Sequence, residues 1–179
     1  MLFPWIVVFV VRLLVPLTLF RWTIFGAFAS IVADNLDVVI LDFLHVANFG
    51  PYNQVDKILD LYYLGIECLI SLKWQNKLAR NTSVFLFLYR LVGTILYEIT
   101  NIRGLLFIFP NLFENFFVFY IIYKSVAKKD RLTSLKAIII VNLILLIPKE
   151  IQEYALHVAE FPVYDWIKGN TLLILRSLS

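Results

Sequence analysis

Cysteine is nearly absent. The 179-residue chain has one, Cys68, so it can form no intramolecular disulfide and no cysteine-based zinc site, and cysteine usage does not report its compartment. Charge is scarce as well. Lys, Arg, Asp and Glu together make 16% of the residues, the formal net charge is +3, and there is no basic tail, which argues against nucleic acid as a partner. The first apolar run lacks a basic n-region and a small-residue cleavage site, so it reads as a retained membrane helix and not a signal peptide. Solenoid-type repeats and low-complexity segments are missing.

What the chain does have is apolar. Hydrophobic residues make 61% of it and the mean hydropathy is +0.82, against about 45–50% apolar for a soluble domain. Sixteen Phe, nine Tyr and four Trp fit a lipid-contacting surface with interfacial belts. A bilayer crossing takes about 20 apolar residues as helix. Six runs approach that length: 3–20, with Arg12 and Pro16 inside it; 22–43, with the small residues Gly26, Ala27, Ala29 and Ser30 for close packing; 55–74; 83–99; 105–123; and 135–157, interrupted by Pro148. The expected fold is all-α, a polytopic membrane helix bundle of about six transmembrane helices forming a single integral-membrane domain over 1–179. Residues 161–179, with Trp166, Lys168 and Arg176, read as an interfacial C-terminal tail. The connections after the first, third and fifth runs hold nine Lys and Arg, and the opposite side holds five. The nine-residue side is therefore expected in the cytoplasm and both termini outside, in a bacterial or archaeal cell membrane.

The polar residues inside these runs are not scattered. A charged side chain in hydrocarbon costs at least about 2.5–3.5 kcal/mol, yet five aspartates, Asp34, Asp37, Asp42, Asp56 and Asp60, flank the turn around Gly50 and Pro51. Spacings of three, four and seven share a helix face. Asp56, Asp60, Tyr63 and Glu67 form one such stripe. Asp34, Asp37 and His45 form a second, Arg90, Thr94, Tyr97 and Asn101 a third, and Asn111, Glu114 and Asn115 a fourth. Beyond Pro148, the spacing of Glu150, Glu153 and His157 suits a divalent metal, and it also suits a solvated face. The stripes leave wide apolar backs and mostly lie in the half of the membrane away from the basic loops. They predict a bundle around a polar cavity open on the extracytoplasmic side. A purely structural alternative pairs Arg12, Arg90, Arg103 and Lys149 with Asp34, Asp60, Glu98 and Glu114 to fix helix register.

Asp34-x-x-Asp37, followed after Gly50 by Asp56-x-x-x-Asp60, resembles the signature of the CDP-alcohol phosphatidyltransferases, as does the Arg12-x-x-x-Pro16 pair in the first run. The chain departs from that signature at Val38, where it has glycine, and at Leu41 and Asp42, where it has alanine and arginine. The resemblance covers about the first third of the chain. It implies a six-helix enzyme in which Asp34, Asp37, Asp56 and Asp60 hold divalent metal, Mg²⁺ or Mn²⁺, and Asp60 also serves as the catalytic base toward an acceptor hydroxyl. Arg90 and Arg103 are the candidates to clamp a phosphate. The expected activity is then a metal-dependent transferase acting on a lipid-linked phosphate, with membrane lipid as partner. Two other readings stay open. One is a cation- or proton-coupled transporter, built as a homodimer or larger membrane complex, with Glu67, Glu98 and Glu114 extending the carboxylates inward. The other is a non-catalytic membrane subunit or scaffold.

Overall fold

Proline stands at two of the breaks between helical segments. In the computed structural model, which describes residues 3–43, 52–102, 104–127 and 132–157, helix α1 (Phe3–Leu14) gives way to a tighter 3-10 segment, Val15–Phe20. Pro16 stands in its first turn, where a missing N–H leaves no hydrogen bond unmade. The chain then forms α2 (Thr23–Phe43), α3 (Tyr52–Ser71), α4 (Lys77–Thr100), the short α5 (Gly104–Ile108), α6 (Leu112–Val126) and α7 (Leu135–His157). The run expected as one helix over 105–123 is two. Pro110 disfavours helical geometry in Phe109 and cannot donate to the helix behind it. Pro148 does not interrupt α7, which continues through it.

Helix α4 is fixed at both ends. The Asn76 side chain accepts from the N–H groups of Leu78 and Ala79 at 3.0 and 3.1 Å, and its amide donates to the Leu132 carbonyl at 2.8 Å. At the other end Asn101 takes the left-handed conformation, φ 56°, and donates its N–H to the Tyr97 carbonyl.

The bundle is built around α6, which packs against α2, α3, α4 and α7. Phe113, Phe116, Phe117, Tyr120 and Ile121 are buried on it, at the i, i+3, i+4, i+7 and i+8 spacing of one helix face. The opposite side of α6 carries Glu114 and Asn115. Trp74, in the turn after α3, stacks on Phe117 with ring centroids 5.6 Å apart and lies 4.1 Å from the ring of Tyr120. On the other flank α2 lies against the 3-10 segment through Gly26, Ala27, Ser30 and Ala33. A Cβ on Gly26 would stand 2.5 Å from the Leu19 backbone nitrogen, so the two backbones meet with no side chain between them. Of the small residues expected here Gly26, Ala27 and Ser30 are buried, Ala29 is only half-buried, and Ala33 joins them.

The fold is all-helical, with no strand among the described residues. Large apolar side chains stand on its surface, and a few charged ones lie inside beside the apolar core. Phe25, Phe85, Ile99, Ile144, Ile147 and Ile151 are each at least 62% exposed, whereas Arg12, Glu67, Lys149 and Glu153 are buried. Two stretches among the described residues, Lys77–Thr100 and Gly104–Val126, are long and apolar enough to cross a membrane. Six were expected. Helices α3 and α7 are long enough but carry Asp56, Lys57, Asp60 and Glu67, and Lys136, Lys149, Glu150 and Glu153. The segments Ile6–Phe20 and Thr23–Asp34 are apolar but shorter.

Candidate functional site

Helices α2 and α3 carry acidic residues on the faces they turn toward each other, and Arg12 of α1 lies between them. Its guanidinium donates through Nη1 to Asp56 and through Nη2 to Asp34 and Asp60. The arginine is 4% exposed, while the three aspartates keep 34–40% of their side-chain surface. The cation therefore sits behind the cluster, and the carboxylates look outward. Arg12 is held in turn by the local packing of its own helix: the Tyr62 hydroxyl of α3 donates to the Leu13 carbonyl at 3.0 Å. One carboxylate oxygen from each of Asp34, Asp56 and Asp60 lies within 4.8 Å of the other two. An all-oxygen donor set this close matches the preference of a hard divalent cation such as Mg²⁺ or Mn²⁺.

The three aspartates form one wall of a cavity of about 640 Å³. Arg90 and Thr94 of α4, Glu114 and Asn115 of α6, and Lys149 and Glu153 of α7 supply polar groups around the rest, interleaved with Leu61, Leu64, Val118 and Leu145. Members of all four polar stripes thus share one space, whereas Tyr63, Glu67, Tyr97 and Asn101 do not line it.

Most of its cations are engaged. Arg90 donates to the carbonyl of Phe109 at 2.9 Å and to that of Leu106 at 3.4 Å, at the helix break ahead of Pro110. Lys149 pairs with Glu153 at 3.2 Å and donates to Gln152 at 3.1 Å. Glu153 also accepts from the Asn111 N–H. Lys57 pairs with Glu98 at 2.9 Å and lies 3.8 Å over the Tyr97 ring. Of the register pairs expected from sequence, Arg12 with Asp34 and with Asp60 form. Lys149 turns to Glu153 and Glu98 to Lys57, and Arg90 goes to backbone carbonyls.

A second set of acids leads inward from the cavity. The Tyr63 hydroxyl is 2.7 Å from Glu67 Oε1 and 3.4 Å from Glu114 Oε1, and it has one hydrogen to share between them. Asn111 donates to the other oxygen of Glu114 at 3.0 Å. Glu67 is fully buried, and its Oε2 has no hydrogen-bond partner among the described residues.

The structure therefore brings together Asp34, Asp56 and Asp60, with Arg90 across the same cavity. Asp37 lies on α2, but its side chain is outside the described residues, as are Arg103, His45 and the side chain of His157. The divalent-metal spacing of Glu150, Glu153 and His157 is not used in that way by Glu153, which points into the bundle to meet Lys149 and the Asn111 amide. Sequence reasoning missed Lys57 and Gln152 as lining residues. Gln152 was detectable, three residues after Lys149 on the same face. Lys57 carried no signal beyond its place beside Asp56. The chain matches no protein family, no curated protein and no solved structure.

Proposed function

We propose that this chain is a multi-pass membrane protein with six crossings, and that its cavity serves a divalent-metal-dependent transfer reaction on a lipid-linked phosphate. The observation that carries this is the convergence of Asp34, Asp56 and Asp60 on the wall of a cavity large enough for a headgroup. The exposed apolar residues on the long helices support the membrane setting, because patches of that extent mark contact with lipid or another protein. The six crossings are α1 with its 3-10 extension, α2, α3, α4, α5 with α6, and α7. In this reading Asp56, Lys57 and Asp60 of α3 and Lys149 and Glu153 of α7, which line the cavity, face away from lipid.

Asp34 and Asp56, with Asp37, hold the metal. Bound there, Mg²⁺ or Mn²⁺ would offset the charge of phosphate oxygens. Asp60 accepts the proton of the acceptor hydroxyl as its oxygen forms the new bond to phosphorus and the bond to the leaving phosphate breaks. Arg12 keeps the carboxylates gathered, and Thr94 and Asn115 offer hydrogen bonds to the bound headgroup.

The test is stability in detergent with and without metal. Millimolar Mg²⁺ or micromolar Mn²⁺ should raise the melting temperature, since a ligand of the folded state alone stabilises it. Asp37→Asn and Asp56→Asn should each remove that rise and leave the fold intact, and turnover of a phospholipid precursor should require added metal. A melting temperature indifferent to divalent metal near neutral pH overturns the proposal. One feature favours a second reading, proton-coupled transport: the buried chain from Glu114 through Tyr63 to Glu67. Uptake into vesicles driven by a proton gradient would select it.

A further inference from the structure

The inner end of the acid chain is Glu67 of α3, which has no exposed surface. Among the described residues the Tyr63 hydroxyl, 2.7 Å from Oε1, is the one group hydrogen-bonded to it, and no lysine or arginine pairs with it. The charged group that acts on it is another acid, Glu114 of α6. Glu114 in turn faces Asp34 of α2, Arg90 of α4 and Lys149 of α7 around the cavity. An ionised carboxylate is an acceptor with two oxygens to satisfy, and burying one without a cation or further donors is costly. The neutral acid fits. Its O–H donates to the Tyr63 oxygen, the Tyr63 O–H donates to Glu114 Oε1 at 3.4 Å, and Asn111 donates to Glu114 Oε2 at 3.0 Å. Each of these hydrogens then has an acceptor, and the ionised member of the chain is the one that reaches the cavity and its cations.

We propose that Glu67 is a proton-binding site inside the bundle, loaded from the cavity through Glu114 and Tyr63, with the acid form of Glu67 as its resting state. The proposal rests for its use on the second, proton-coupled reading, since carboxylate chains of this kind serve as proton relays in membrane proteins. It asks nothing of the metal site, because the transfer reaction uses none of these three residues. Loading begins when Glu114 takes a proton from water in the cavity. Tyr63 passes its hydroxyl hydrogen to Glu67 Oε1 and receives the Glu114 proton on the same oxygen, as a group that both donates and accepts can. Two O–H bonds break and two form. One proton moves inward, and nothing is oxidised or reduced.

The experiment is infrared spectroscopy of the purified protein in detergent near neutral pH, which reads the C=O stretch of a protonated carboxyl group. Wild type should show such a band. Glu67→Gln should lose it, and Glu114→Gln should keep it. Tyr63→Phe removes the acceptor and should move the band to higher frequency, an assignment that does not need Glu67→Gln to fold. The same variant cuts the relay, so exchange of the band in heavy water should slow by about 100-fold. Glu67→Gln has the shape of the acid and should melt with wild type, because no buried charge is relieved. Four results overturn the proposal: no such band near neutral pH, a band lost with Glu114 and kept without Glu67, exchange as fast in Tyr63→Phe as in wild type, or a clearly raised melting temperature in Glu67→Gln. A band and relay that stand while vesicles show no proton-driven uptake support the proton site and overturn the transport reading alone. A missing response to divalent metal overturns only the transfer reading.

Discussion

Gly26→Ala places a methyl group where α2 and the 3-10 segment have no room for one. The added Cβ would stand 2.5 Å from the Leu19 nitrogen, 2.7 Å from its Cα and 2.9 Å from the Thr18 carbonyl carbon. Ordinary carbon contacts are about 3.5–4.0 Å, and all three neighbours are backbone, so no side chain can swing aside. One of the two segments must shift by about 1 Å. Overpacking of this kind costs about 1–3 kcal/mol, and the better helix propensity of alanine returns up to about 1 kcal/mol. The expected net loss is about 1–2 kcal/mol, and larger for Gly26→Leu. Gly65→Ala is the internal control. It also lies in a helix interior, but nothing stands within 4 Å of its added Cβ, so only the propensity gain acts and stability should hold or rise. Denaturant or thermal unfolding in a mild detergent reads both. Asp34 lies two turns further along α2, so the shift should also displace its carboxylate from Arg12 and weaken the response to metal. Equal stability changes in the two variants would refute the close backbone contact and place this face of α2 away from the 3-10 segment.

Arg12→Gln removes the one guanidinium that Asp34, Asp56 and Asp60 share. Breaking a buried ion pair costs about 3–5 kcal/mol. The aspartates are about a third exposed, so screening reduces this to about 2–3 kcal/mol. Millimolar Mg²⁺ should restore part of the loss in unfolding experiments, and a variant as stable as wild type without metal would show that Arg12 does not hold the cluster. For topology, single cysteines at Lys77 and Lys129 in a Cys68→Ala background should be shielded from an impermeant thiol reagent in intact cells. Ready labelling of both would invert the assignment of sides.

The stripes were legible because helix geometry is local. Asp56, Asp60, Tyr63 and Glu67 share a face in any α-helix, and the structure turns that face inward as the spacing requires. That Arg12 would meet three aspartates at once was less legible. Their separation along the chain, 22 residues to Asp34 and 48 to Asp60, says nothing about approach until α1, α2 and α3 are packed. Pro16 and Pro110 were visible as residues, but whether a proline stops a helix depends on what satisfies the freed carbonyls. At Pro110 Arg90 does so from α4, whereas Pro148 is absorbed within a continuing helix. The role given to Arg90 as a phosphate clamp illustrates the same limit. A periodic pattern can place a guanidinium on the polar face, but its acceptors come from a helix break elsewhere in sequence.

The charges in the cavity imply an order of binding for the proposed reaction. Asp34, Asp56, Asp60, Glu114 and Glu153 line it, together with Lys57, Arg90 and Lys149. Lys149 is matched by Glu153 and Lys57 by Glu98, so these pairs contribute little net field. Arg12 offsets one of the three aspartates it touches, which leaves a surplus of about two negative charges at the cluster when all three are ionised. A phosphate approaching that wall alone is repelled, whereas a divalent cation closes the balance and then attracts the phosphate. The lipid-linked phosphate should therefore bind only after metal. A soluble nucleotide-diphosphate analogue should raise the melting temperature in the presence of Mg²⁺ and leave it unchanged in a chelator. Tight binding of the analogue in the chelator would mean that Arg90 and Lys149 leave their present partners to receive it, and the metal would then have no place in substrate capture.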